Sequence, residues 1–344
     1  MNEMQTILAD TAARLFADRL PKSGSIAAEE TGWLPGLWQE VEDTGFPRLL
    51  VCEAHGGAGA TWEEAAILLR AIGAHAVPLP LAETIIAAWL LDCAGIEPPP
   101  GAIAFAAADL SFRKGEARAA APIARVPYAD QCGHVVAVAP ADGGVHVALF
   151  ARAATANATL SLAREPRADV MPADAAIAHG IAPLPADAVD LFGALARAAG
   201  IAGALESVLA QAVHYAGDRI QFGRPLSKFQ AIQHQLAELA TEAASVSVAV
   251  DRAARATARD PLTAAFDIAV AKVRAADAAQ KGAGIAHQTH GAIGFTYEHG
   301  LHFWTRRLWA WAPEYGGAAH WAQHLGRIAI AAGGDALWQE ITAR

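Results

Sequence analysis

DRIQFGRPLSKFQAIQH, from Asp218 to His234, is the stretch on which the reading of this chain turns. Arg219, Gln221, Phe222 and Gly223 sit together between two long helical patterns. Helix ends expose backbone groups without intrahelical partners, and Gly223-Arg224-Pro225 has the chemistry to stop one helix and start the next. The break gathers a cation, an amide and a flat apolar ring, which suits a ligand carrying phosphates and an aromatic ring system. Taken alone, it reads more readily as an ordinary interhelical turn than as a site. It becomes informative beside QTHGAIGF, Gln288 to Phe295.

Working outward, Leu191, Leu195, Ala198 and Ala199 run into Ala202, Leu205, Val208, Leu209 and Val213 ahead of the break. After it, Phe229, Ile232, Leu236, Leu239, Ala243, Val246 and Val250 mark one face of a second long helix. Further helices are expected from Leu262 to about His287, near Leu301 to Trp311, and from Ala318 to Ala332. Long helices joined by short loops predict a bundle. The first hundred residues also read as helical: Leu8, Ala12, Leu15 and Phe16 form a stripe, and Thr61 with Glu64 makes a capping box. The glycine-rich Glu53 to Gly59 has no clear preceding strand and no GxxxxGK(S/T), so a structural turn is expected there. Between these regions the period falls to two. Val135 to Val138 and Val145 to Phe150 flank Asp142-Gly143-Gly144, a β-hairpin signal.

The expected fold is mainly α with a small β domain: an N-terminal helical domain at 1–100, a reduced middle β domain at 101–188 and a C-terminal helical bundle at 189–344. A chain of 344 residues with 54% hydrophobic and 18% charged residues can bury a substantial core, which excludes disorder. Its net charge of −9 argues against a nucleic-acid partner. Cys52, Cys93 and Cys132 are scattered without metal-ligand spacing and read as incidental thiols. The acidic N-terminal stretch and the lack of an uninterrupted apolar run point to a cytoplasmic protein with no membrane span. His287 and His290 lack a carboxylate frame, so no metal is expected. Trp304, Trp309, Trp311 and Trp321 are read as packing and interface residues in preference to a substrate wall.

Three stretches resemble the acyl-CoA dehydrogenase family: Ala196 to Leu239, Gln288 to Arg307 and, more weakly, Leu49 to Thr84. The resemblance implies a helical domain, a middle β-barrel and a four-helix bundle. It also implies FAD, whose adenine and pyrophosphate end crosses a subunit interface. Arg219 would face the pyrophosphate, with Gln221 and Phe222 near ribose and adenine, and Gln288, Gly291 and Ala292 would supply the second segment. Ala292 stands where the family usually has glycine. A guanidinium offers forked donors to phosphate, and small residues let the backbone approach.

The chain departs from the family twice. Residues 100–190 hold no TEPxxGSD-like or WITNG-like segment to grip the flavin ring. The reaction needs a carboxylate to take the α-proton of an acyl-CoA thioester. The two positions known for it align with Tyr315 and Gly193, with Glu314 one residue away as a weak candidate and Arg197 one turn beyond Gly193. Together with the EYGGAAHW segment at Glu314 to Trp321, these losses resemble the non-catalytic subunit of heterotetrameric steroid side-chain acyl-CoA dehydrogenases. The implied partners are a base-bearing α subunit in an α2β2 assembly, a bulky acyl-CoA substrate and an electron-transfer flavoprotein. Two alternatives stay open: a self-sufficient homo-oligomeric dehydrogenase using Glu314, and a flavin-free scaffold or regulatory subunit.

Overall fold

The computed structural model describes residues 2–20, 22–172 and 175–342. Helices α1 (Glu3–Arg19), α2 (Lys22–Thr31), α3 (Pro35–Asp43), α4 (Trp62–Ala74) and α5 (Leu81–Cys93) come first. Both halves of the capping box at the start of α4 are present, since Thr61 accepts from the first turn and the Glu64 side chain accepts the Thr61 N–H. The strands follow: β1 (Ile103–Ala107), β2 (Leu110–Arg113), β3 (Glu116–Ala119), β4 (Ile123–Pro127), β5 (His134–Ala141), β6 (Gly144–Leu160), β7 (Pro166–Pro172) and β8 (Ala178–Ala182).

β5 and β6 form the hairpin expected across Asp142 and Gly143, paired from His134 opposite Ala151 to Ala141 opposite Gly144. β6 holds the sheet together. Its first part pairs with β5 and β8, and its second part pairs with β7, with register shifts near Arg152 and Ala156. β1 joins β5 in parallel and β4 joins β7, giving a six-stranded sheet curled through its longest strand.

The helical remainder comprises α6 (Ala188–Asp218), a hairpin of β9 (Ile220–Gln221) and β10 (Arg224–Pro225), α7 (Gln230–Arg259), α8 (Ala265–His290), α9 (His302–Trp311), α10 (Ala318–Ala332) and α11 (Leu337–Thr342). α6 is the central element. It is long and apolar enough in composition to cross a membrane, but its apolar window is 94% buried inside the protein. Small residues explain how closely α4 crosses it. A β-carbon on Gly73 would lie 1.8 Å from the Gly200 carbonyl oxygen, and one on Gly203 would lie 1.9 Å from that of Arg70. The two backbones meet only because neither glycine has a side chain. Phe192 of α6 then packs against Trp62 and Trp89 at ring separations of 5.4 and 4.6 Å, tying the N-terminal helices to the bundle.

The first break differs in one respect from the sequence reading. α6 ends at Asp218, five positions before Gly223, because Arg219 adopts an extended conformation. The glycine turns a hairpin and does not cap the helix.

Candidate functional site

Phe222 and Gly223 both have positive φ, 51° and 78°, as a two-residue hairpin turn requires. Ladder pairs join Ile220 to Pro225 and Gln221 to Arg224, and the Leu226 N–H donates to the Arg219 carbonyl at 2.9 Å. The Arg224 guanidinium sits 4.1 Å from the centre of the Phe229 ring. This ordered turn presents its functional groups outward. Phe222 is 93% exposed, Arg219 and Gln221 are exposed, and the Arg219 guanidinium makes no ion pair among the described residues.

The second segment lies at the same end of the bundle. The last turn of α6 and the end of α8 meet where the Tyr215 ring stacks on His290 at 4.6 Å. Gln288 is exposed in the last turn of α8, and the helix closes on Gly291, whose N–H donates to the His287 carbonyl at φ 62°. Nothing lies within 4 Å of where a Gly291 β-carbon would be, and Ala292 is exposed beside it. Both candidate segments are thus exposed at the end of the bundle where α6 and α8 finish, with the Phe222 ring uncovered.

The other end of α6 is buried and charged. Arg197 donates from Nε to Glu314 Oε2 at 2.6 Å and from Nη2 to Glu83 Oε1 at 2.7 Å. Arg167 Nη2 donates to Glu314 Oε1 at 2.6 Å and to Glu165 Oε2 at 3.2 Å. Glu165 also accepts from Trp311 Nε1 and pairs with Arg307 at 3.4 Å. Three carboxylates thus face three guanidinium groups, and each charge has a partner. Burial alone pushes the Glu314 carboxyl up, but Arg197 and Arg167 more than offset this and hold it at about 2. A carboxylate held that low is a poor proton acceptor near neutral pH. Gly193 and Tyr315, the two positions at which the sequence resemblance leads us to expect a base, lie against each other, with the Tyr315 ring packed on the glycine. What remains is a cavity of about 370 Å³ bounded by Phe105, Arg125, Asp190, Glu314 and Tyr315.

Residues 2–97 match the acyl-CoA dehydrogenase N-terminal domain, and residues 191–333 match the acyl-CoA dehydrogenase C-terminal domain. The chain belongs to the acyl-CoA dehydrogenase family. It is therefore related to flavin-dependent oxidoreductases acting on CH–CH groups. Acyl-CoA dehydrogenase IpdE2 of Mycolicibacterium smegmatis is 29% identical over 314 residues, covering 89% of this chain and 93% of that protein. A variant of the Tcur3481-Tcur3483 steroid ACAD superposes with a TM-score of 0.86 at 25% identity, covering 96% of this chain and 98% of the other. The ChsE4-ChsE5 complex of Mycobacterium tuberculosis contains a chain of the same fold, with a TM-score of 0.85 at 20% identity over 95% and 97% of the two chains.

Two sequence expectations change. Trp311 and Trp321 are 2% and 1% exposed, so they pack inside this chain and do not form an outer interface. Trp304 donates to the Ala74 carbonyl, and Trp309 stacks on His287, so these two also have partners within the chain. Cys52, read as incidental, lies beside His55 and Asp92. The Cys-x-x-His spacing was present in the sequence, but Asp92 is forty positions from Cys52 and no local pattern announces it.

Proposed function

We propose that this chain is the non-catalytic subunit of a heteromeric FAD-dependent acyl-CoA dehydrogenase. It completes a flavin site whose reactive ring and base belong to a partner. The observation that carries this reading is the state of the two base positions: the Tyr315 ring lies against Gly193, and the neighbouring Glu314 is clamped between Arg167 and Arg197. A chain without a usable base, but with an intact flavin-facing surface, is half of a site.

Arg219 is the residue to hold pyrophosphate, with Gln221 and Phe222 on the ribose and adenine side and Gln288, Gly291 and Ala292 giving close backbone approach. Their exposure fits this role, because groups that serve a ligand carried by another subunit are uncovered in the isolated chain. Flavin supplies the hydride acceptor when bound. The residues here orient its distal end and neutralise phosphate charge.

The substrate class proposed is a bulky acyl-CoA such as a steroid or bile-acid side-chain thioester. It is supported by the similarity to the Tcur3481-Tcur3483 steroid ACAD. The partners proposed are a base-bearing subunit in an α2β2 complex and an electron-transfer flavoprotein, in the cytoplasm. Co-expression with a family member that carries the glutamate tests the assembly. A stable complex containing equal amounts of both chains is expected. A homo-oligomer that excludes the second chain would contradict the proposal.

A further inference from the structure

The three-residue turn Glu53–His55 starts at Cys52, and the last turn of α5 brings Asp92 against it. Asp92 Oδ1 lies 2.6 Å from His55 Nδ1 and 3.0 Å from Cys52 Sγ, while Oδ2 accepts the Cys52 backbone N–H at 3.1 Å. The sulfur, nitrogen and oxygen lie within 4.8 Å of one another, and all three residues are half-buried. Their scaffold is well fixed. The Gly57 N–H donates to the Cys52 carbonyl, the Gly59 N–H to Val51 and the Ala60 N–H to Leu49. Arg48 bridges the His55 and Pro98 carbonyls. A β-carbon on Gly57 would fall 2.1 Å from the Val51 carbonyl oxygen, so the turn has little room to rearrange.

We infer that Cys52, His55 and Asp92 form a binding site for one zinc-class divalent cation that clasps the glycine-rich turn to the end of α5. One sulfur, one imidazole and one carboxylate make a borderline-soft donor set, which selects zinc or cobalt over magnesium or calcium. Three protein donors leave a fourth position for water, and the half-buried setting gives the ion access. Zinc bonds of about 2.0–2.3 Å put tetrahedral donors roughly 3.3–3.7 Å apart, so His55 and Asp92 need to part by about an ångström. Protons account for the shorter spacing without metal: the thiol S–H points to Asp92, and a proton lies between His55 and Asp92. On binding, the thiol proton goes to solvent, the cation replaces the proton on His55 Nδ1 while the neutral imidazole carries its proton on Nε2, and no electron is transferred. This clasp is independent of the proposed subunit role, because it lies on the N-terminal helical domain and uses none of the flavin-facing residues.

The full chain, stripped with a chelator and dialysed, is titrated with Co²⁺ and then Zn²⁺. Expected are saturation at one ion per chain, a near-ultraviolet sulfur-to-cobalt charge-transfer band bleached by zinc, and a Tm that rises with zinc concentration. Cys52→Ser abolishes the band, while Cys93→Ser keeps it. His55→Gln and Asp92→Asn each weaken zinc binding about tenfold or more. Absence of saturable binding overturns the site, as does a band that persists in Cys52→Ser. If Asp92→Asn loosens the turn, the wild-type cobalt titration with Cys52→Ser and Cys93→Ser still decides the question.

Discussion

The Tyr315 ring lies over Gly193: a β-carbon at Gly193 would sit 2.4 Å from its Cγ and Cδ1 atoms. The family resemblance assigns the catalytic carboxylate to one of these two positions, on α6 or after α9, and in this fold they touch. The ring also stacks on Phe105 of β1 at 5.8 Å with planes 2° apart, so it is held against Gly193. Gly193→Ala forces a buried ring to move and is expected to cost about 1–3 kcal/mol. Gly193→Ala with Tyr315→Ala should cost less than the sum of the single changes in denaturant unfolding. Strict additivity would mean that the ring does not depend on the glycine.

Glu314 has a structural role here, so Glu314→Gln separates stability from turnover. Removing one member of a buried ion pair leaves Arg197 and Arg167 under-compensated and should cost about 3–5 kcal/mol. In the assembled complex, turnover should stay near wild type. Loss of an essential base would instead reduce it by about 10²–10⁴-fold.

The same carboxylate sets an acid limit on the fold. Its folded value lies near 2, below the ordinary 4.5, so its stabilisation is fully present above the unfolded value and is lost as pH falls from about 4.5 towards 2. Thermal unfolding followed through this window should show a steep loss of Tm in the wild type and a shallower one in Glu314→Gln.

Lys272 is fully buried and donates to the Trp311 and Ala312 carbonyls at 2.9 and 2.8 Å, satisfying oxygens at the end of α9. Burial first, and Arg197 second, push its amine down to about 7. Below 7 the amine is protonated in both states, and the folded protein bears the cost of a buried cation. Above 7 the folded amine sheds its proton while the unfolded one keeps it up to about 10.5, so the Lys272 contribution to stability should rise across that interval. Lys272→Met should remove this component of the pH dependence and lower Tm at pH 9, because two carbonyls lose their donor.

Arg219 is exposed on an ordered hairpin, and Arg219→Ala should leave the Tm of the isolated chain unchanged. In the complex it should lower flavin occupancy, measured as the ratio of flavin to protein absorbance after gel filtration. Full retention of flavin would remove Arg219 from the pyrophosphate role.

What the sequence revealed depended on how local the cause was. Thr61 and Glu64 are three positions apart, and the Val135 to Phe150 hairpin closes through Asp142 and Gly143, so period and turn chemistry announce both. The outward hairpin at Phe222 was visible as a break, although its strands were not, because two-residue strands carry no period. The charged network was not legible: Glu83, Arg167 and Arg197 come from three separate elements and Glu314 from the turn after α9, with partners 114 to 147 positions apart. Arg197 and Glu83 each sit in an apolar helical run, and only the folded chain shows that their charges face each other. The same distance hid Asp92 from Cys52.

The flavin content and turnover of the purified chain, compared with those of its complex with a base-bearing partner, test the central claim most directly. The account predicts a colourless, inactive chain alone and a yellow, active complex holding one flavin for each pair of chains. A yellow homo-oligomer of this chain that oxidises an acyl-CoA unaided would contradict it.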